Sequence, residues 1–201
     1  MTLIQKKGIL VLSSVLIFPL MVAVFSITTE LFGTKRGYLA GFAFYWSYCL
    51  SFILIISKKE VFKRLKFKIK SKRATFYVVL TFLPIFGAVY VNFLPYTHLI
   101  TVEIFLLVIV TSVINGSIEE LYWRGLYLNE FIDRAGVGLW LATFLFGLWH
   151  VALYSISEMS YGGFIPLVFG ATFMGLLWAF CSRKLQNVSY FVDLSNFYTE
   201  K

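Results

Sequence analysis

The sequence predicts an all-α fold, a polytopic membrane helical bundle of about six spans with a short C-terminal helix. Three observations carry that expectation. Apolar residues make up 59% of the chain and aromatic residues 19%, while only 14% are charged, against about 25% in ordinary soluble domains. The apolar residues gather into stretches of roughly 20, the length of helix that crosses ~30 Å of hydrocarbon. Nine of the eighteen Lys and Arg residues fall in one run, KKEVFKRLKFKIKSKR (Lys58–Arg73). A run of that kind between two apolar spans suits a cytoplasmic loop facing anionic lipid. The net charge of +8 therefore points to membrane lipids as partners, and not to nucleic acid.

In order, the spans are Gly8–Ile27, Tyr38–Ser57, Thr75–Leu94, Leu99–Ile118, Val137–Ile156 and Gly163–Cys181. Lys6 and Lys7 ahead of the first resemble the start of a signal peptide. That stretch is about twice the usual length of a signal-peptide core and no A-x-A-like site follows, so it reads as a retained span. Pro84 predicts a kink in the third, because proline removes one backbone hydrogen bond and clashes with the preceding turn. Asn187–Tyr198 is too short to cross alone and is expected to dock as a partial helix. Cys49 and Cys181 lie inside apolar stretches with no partner at CxxC spacing, so neither a disulfide nor a zinc finger is expected.

Without repeats or a Gly/Ser linker, the chain reads as one bundle in two parts. Residues 1–98 hold N-terminal helices and the basic loop, and residues 99–198 form a core carrying the motifs below. Placing Lys6 and Lys7 in the cytoplasm puts the 58–73 loop, Arg124, Arg134, Arg183 and Lys184 on the same side. The outer loops then keep only Lys35 and Arg36, as the positive-inside rule requires. The expected location is the cell membrane, multi-pass, with the N-terminus cytoplasmic and the 157–162 loop outside. Heavy use of Phe, Ile, Tyr and Lys suits an AT-rich bacterial genome.

The sharpest departure from apolar composition is SIEELYWRGLYL (Ser117–Leu128) at the end of the fourth span. Glu120 and Arg124 are spaced for an i,i+4 pair, which on a solvated helix end is worth a few tenths of a kcal/mol. The flanking Leu121, Tyr122, Trp123, Leu126, Tyr127 and Leu128 argue instead for a helix that continues partly buried. A charge inside a membrane helix costs roughly 2.5–3.5 kcal/mol on insertion scales, and such charges face the bundle interior and pair. Adjacent carboxylates in a low-dielectric site resist double ionisation. With Arg124 one turn from Glu120, Glu119 is left as the candidate general base for a bound water.

A second constellation follows in TFLFGLWHVALY, where Phe146 and His150 stand one turn apart on the fifth span. The other histidine, His98, sits in an outer loop, where an interfacial position accounts for it.

Glu119-Glu120-x-x-x-Arg124 followed by Phe146-x-x-x-His150 resembles the first two motifs of the CPBP family, the CAAX proteases and bacteriocin-processing enzymes, also called Abi. The resemblance covers about residues 99–198. It implies an intramembrane endopeptidase opening towards the cytosol and acting on a peptide or protein substrate. By resemblance, Glu119 activates water, His150 helps to hold it, and Glu120 and Arg124 support the site. The family carries a third motif on a late helix, a His followed four residues on by Asn or Asp. Here that region reads QNVSYFVDLSNFY with no histidine, and two registers are open. Asp193 fills the Asn/Asp position with Ser189 in place of the His, or Asp193 replaces the His with Asn196 nearby.

A catalytic zinc usually takes three protein ligands and an open position, and no H-E-x-x-H supplies two of them on one face. Glu119, His150 and Asp193 are the candidate ligands for a divalent metal such as zinc, and a metal-free, glutamate-activated water is the equal alternative. Three function classes follow: a CPBP-type protease tied by resemblance to bacteriocin processing or self-immunity, a non-proteolytic immunity or binding protein of the same fold, and a small transporter.

Overall fold

The computed structural model describes residues 1–57, 61, 72–88, 90, 94–99, 101–154 and 163–186. Asp193, Ser189, Asn196 and the short C-terminal helix lie outside the described residues, as do most of the basic loop and the 157–162 loop. The described residues are helical without a strand, and form an all-α bundle. Six long helices correspond to the six expected spans: α1 (Leu3–Phe32), α2 (Thr34–Ser57), α3 (Lys72–Ala88), α4 (Val102–Glu119), α6 (Ala135–Tyr154) and α7 (Phe164–Gln186). A short α5 (Tyr127–Glu130) lies between α4 and α6. α3 runs across Pro84 and stops at Ala88, one turn later. His98 is exposed in a short 3₁₀ turn, Leu94–Leu99.

Among the described residues, three segments are long and apolar enough to cross a membrane by length and composition: Leu3–Phe32, Thr34–Ser57 and Ile132–Tyr154. Leu167–Cys181 is a shorter apolar helix. The chain is a multi-pass membrane protein. Its outward-facing Leu12, Leu16, Leu54, Trp140, Phe144, Phe169 and Phe173 form an apolar surface that water would not tolerate over such an extent but lipid does.

α1 begins with a reciprocal cap. The Gln5 N–H donates to Thr2 Oγ1 at 3.3 Å and the Thr2 N–H donates to Gln5 Oε1 at 2.9 Å, so two orphan donors are satisfied together. It ends at Gly33, whose φ of 76° is in the left-handed region that glycine alone enters without strain. α2 starts at the next residue, and the two helices return antiparallel. Their close approach needs Gly37, where a Cβ would collide with the backbone of Thr28 and Thr29. The Thr28 hydroxyl donates to the Gly37 carbonyl at 2.8 Å across the same contact.

The core follows helical spacing. Leu10, Ile17, Met21 and Phe25 bury one stripe of α1, and Tyr45, Cys49, Ile53 and Ile56 bury one stripe of α2. Both cysteines are buried, and neither forms a disulfide among the described residues. At one end of the bundle Lys6 pairs with Glu130 at 4.0 Å and Lys7 pairs with Asp133. The start of α1 and the α5–α6 connection therefore share one side, as the expected orientation requires.

Candidate active site

The sequence reading closes the fourth span at Ile118, with the charged motif at its cytoplasmic end. In the structure the helix does not stop there. α4 passes directly into a π-helical stretch, Glu120–Leu126, and then into α5. Leu121, Tyr122, Trp123, Arg124 and Leu126 are all buried. Burial on nearly every side explains why the helix continues, since its end would expose four carbonyls to an apolar surround. Single π turns inside α-helices are rare and concentrate at functional sites.

This continuation sets Glu119 deep. Its side chain is 7% exposed. Oε1 accepts a hydrogen bond from the Tyr45 hydroxyl at 3.1 Å and from the Trp149 indole N–H at 3.3 Å. The Trp123 indole donates to the Tyr45 oxygen at 3.0 Å. Asn115, one turn earlier on α4, accepts a hydrogen bond from the Trp46 indole at 2.9 Å. The Tyr45 and Trp149 rings are stacked, 4.1 Å apart and 3° from parallel, which fixes both donors. Tyr45 lies midway along α2, so the carboxylate sits at mid-depth of that span, deeper than a helix-end placement.

Glu120 and Arg124 form the expected pair, Oε1 to Nη1 at 3.4 Å, but unequally: the Arg124 side chain is 4% exposed and that of Glu120 41%. The guanidinium carbon lies 4.2 Å from the Phe146 ring centroid and 5.3 Å from that of Trp178. Gly175 on α7 makes room for it. A Cβ there would stand 2.9 Å from Phe146 Cδ1 and 3.2 Å from Arg124 Nη2. Despite this enclosure, Arg124 Nη1 and Nη2 and Glu120 Oε1 make no hydrogen bond among the described residues. A buried donor left without a partner costs ~1–3 kcal/mol, more when charged. Cation–π contact offsets about 0.5–2 kcal/mol of that.

His150 is half-buried near the C-terminal end of α6. Its Nδ1 lies 2.8 Å from the Phe146 carbonyl oxygen. A carbonyl only accepts, so Nδ1 carries the proton, and in the neutral ring Nε2 is left as an acceptor. The imidazole packs against the Phe146 ring, centroids 4.7 Å apart. Arg124, Phe146 and His150 thus form one stack. Glu119 reaches it through Trp149, the residue before His150, and no hydrogen bond joins Glu119 to His150 among the described residues.

The structure therefore gathers Glu119, Glu120, Arg124 and His150 where the end of α4 and the π-helical stretch meet α6, while Asp193 falls outside the described residues. Tyr45, Trp149, Trp123, Asn115 and Gly175 were missed by the sequence reading. Only Trp149 carried a signal there, as the neighbour of His150.

No group of three His, Cys, Asp or Glu side chains suited to a metal exists among the described residues. Glu119 Oε1 is taken up by N–H and O–H donors, and Asp193, the third candidate ligand, lies outside the described residues.

Residues 101–192 match the family model described as type II CAAX prenyl endopeptidase, Rce1-like. The match bears out the resemblance carried by the two motifs, both of which lie inside it. No curated protein and no solved structure matches the chain.

Proposed function

We propose that this protein is an intramembrane endopeptidase of the CAAX type, in which Glu119 activates a water molecule to attack a peptide carbonyl. The observation that carries the reading is the Glu119 carboxylate itself. It is buried in the bundle, fixed on one oxygen by Tyr45 and Trp149, and lies in the segment that matches the endopeptidase family. A charge so expensive to insert, held so firmly, suits a preorganised base.

The reaction balances with this chain's own groups. Water oxygen bonds to the carbonyl carbon while one of its protons passes to Glu119. The tetrahedral oxyanion then expels the amine as the C–N bond breaks, and Glu119 returns the proton to the leaving nitrogen. Neutral His150 accepts the second hydrogen of the water at Nε2 and so orients it. Glu120 holds Arg124 in register. We assign donation to the oxyanion to polar side chains of segment 189–196, Ser189 and Asn196 as donors and Asp193 in its protonated form. By the family resemblance the site opens towards the cytosol, and we assign the side bearing Lys6 and Lys7 to the cytoplasm of a bacterial cell. Bacteriocin processing or self-immunity is the setting the motifs suggest.

One sequence observation favours a second reading. The third motif lacks histidine, which suits a non-proteolytic immunity or binding relative of the same fold. The two separate in one experiment. Purified protein in lipid nanodiscs is incubated with a prenylated CAAX peptide and with an unmodified one, and products are identified by mass spectrometry. Endoproteolytic products are expected from the wild type and are expected to vanish in Glu119→Ala and His150→Ala. Intact peptides throughout, with a folded wild type, leave the binding relative as the better account.

A further inference from the structure

The mechanism above uses Arg124 only as a partner for Glu120, and that leaves its geometry unexplained. The guanidinium is 4% exposed, clamped between Phe146 and Trp178, and given space by Gly175. Yet Nη1 and Nη2 hydrogen-bond to nothing among the described residues. Glu120 faces Nη1 at 3.4 Å without hydrogen-bond geometry, and its side chain is 41% exposed. A planar, permanently charged fork whose two terminal nitrogens make no hydrogen bond among the described residues is the donor set that receives a carboxylate in bidentate fashion.

We infer that Arg124 is a substrate-recognition residue that binds the free C-terminal carboxylate of the peptide, displacing Glu120 as it does so. The inference rests on the endopeptidase reading and deepens it. Lengths agree with it. A CAAX end places its terminal carboxylate at most three residues beyond the cysteine, ~10 Å when extended. Arg124 follows Glu119 by five residues on one continuous helix, an axial rise of about 7 Å at α-helical spacing, and the arginine side chain spans the rest. A carboxylate seated on Arg124 therefore delivers a carbonyl near the chain terminus to Glu119. Exchanging Glu120 for a substrate carboxylate also leaves the buried charge balance unchanged, whereas a neutral chain end would leave the guanidinium uncompensated.

The test uses the full chain carrying Glu119→Gln, in nanodiscs of zwitterionic lipid. The probe is a short fluorescent peptide ending in cysteine and three further residues, prepared as the free acid and as the C-terminal amide. Anisotropy should show the acid binding on the order of tenfold to a hundredfold tighter than the amide. Adding Arg124→Lys should shrink that ratio, and adding Arg124→Gln should abolish it while amide binding stays the same. Equal binding of acid and amide to the chain with Arg124 intact overturns the proposal without relying on any arginine variant to fold. An acid preference that survives Arg124→Gln overturns it too, as does displacement of both peptides alike by phosphatidylglycerol, which would mark a lipid headgroup site. The wild type then separates the two proposals. Acid-selective binding without cleavage removes the endopeptidase reading and keeps the carboxylate site, while cleavage of acid and amide at equal kcat/KM does the reverse.

Discussion

Two polar clusters lie buried in this bundle, and they are built on opposite terms. In the first, α1 meets the π-helical stretch and α5. Ser13 Oγ donates to the Leu10 carbonyl at 2.9 Å and contacts the Tyr122 hydroxyl at 2.8 Å. Ser14 Oγ donates to the same carbonyl at 2.8 Å and receives the Tyr127 hydroxyl at 2.7 Å. Tyr48 closes the group by donating to the Ser13 carbonyl at 2.8 Å. Every hydroxyl there has a partner. In the second cluster Arg124 is as deeply buried, but its terminal nitrogens make no hydrogen bond among the described residues. A saturated network rigidifies, whereas an unsaturated one stores binding capacity for a ligand. Depth does not distinguish them. Saturation does, and it separates the part of this helix that anchors from the part that acts.

The largest effect should come from Glu119→Gln. Glutamine keeps an acceptor for Tyr45 and Trp149 but loses the base, so cleavage should fall by about 10²–10⁴-fold while helicity and melting temperature by circular dichroism stay close to wild type. A variant that melts early would place Glu119 with the anchoring cluster and blur the comparison. Next is Gly175→Val, which drives a side chain into Phe146 and the guanidinium. Overpacking of that kind costs about 1–3 kcal/mol, readable as a lowered melting temperature together with reduced peptide binding. If only stability changes, the Arg124 stack is mere scaffold.

Tyr45→Phe should cost about 1–3 kcal/mol as well, because the Trp123 N–H loses its acceptor. It should also slow cleavage roughly tenfold as Glu119 loses one of its donors. The smallest effect belongs to Tyr127→Phe, which deletes one hydrogen bond of the saturated cluster. About 1 kcal/mol of stability should go, with kcat/KM unmoved. A drop in activity there would show that the anchor and the site are not separable.

Much of this was legible in the sequence. Six apolar stretches gave six helices, three of them, among the described residues, long and apolar enough to cross a membrane. The two motifs lie together because their elements pack. The end of the fourth span and its buried continuation were legible too, from the apolar flanks of Arg124; what stayed hidden was how deep the neighbouring elements set Glu119. Tyr45, Trp123 and Trp149 were hidden for a related reason. In a chain with twelve tyrosines and five tryptophans, those that donate into the core look no different from those that face lipid. Asn115 gave no more warning. Only the packing of α2, α4 and α6 singles them out.

The π-helical stretch also has a consequence for which sequence changes this protein tolerates. α4, Glu120–Leu126 and α5 form one rod, with Glu119 near the middle and Tyr127 and Glu130 at the far end, where they engage Ser14 and Lys6. An α-helix turns about 100° per residue. Deleting one residue between 120 and 126 rotates everything beyond it by that angle, and carries Tyr127 and Glu130 off their partners while Glu119 stays in place. The stretch is a phase setter, and the number of residues in it is under tighter constraint than the identity of several of them. Substitutions at Gly125 or Leu128 change a contact, whereas a single-codon deletion throws the two ends of the rod out of step.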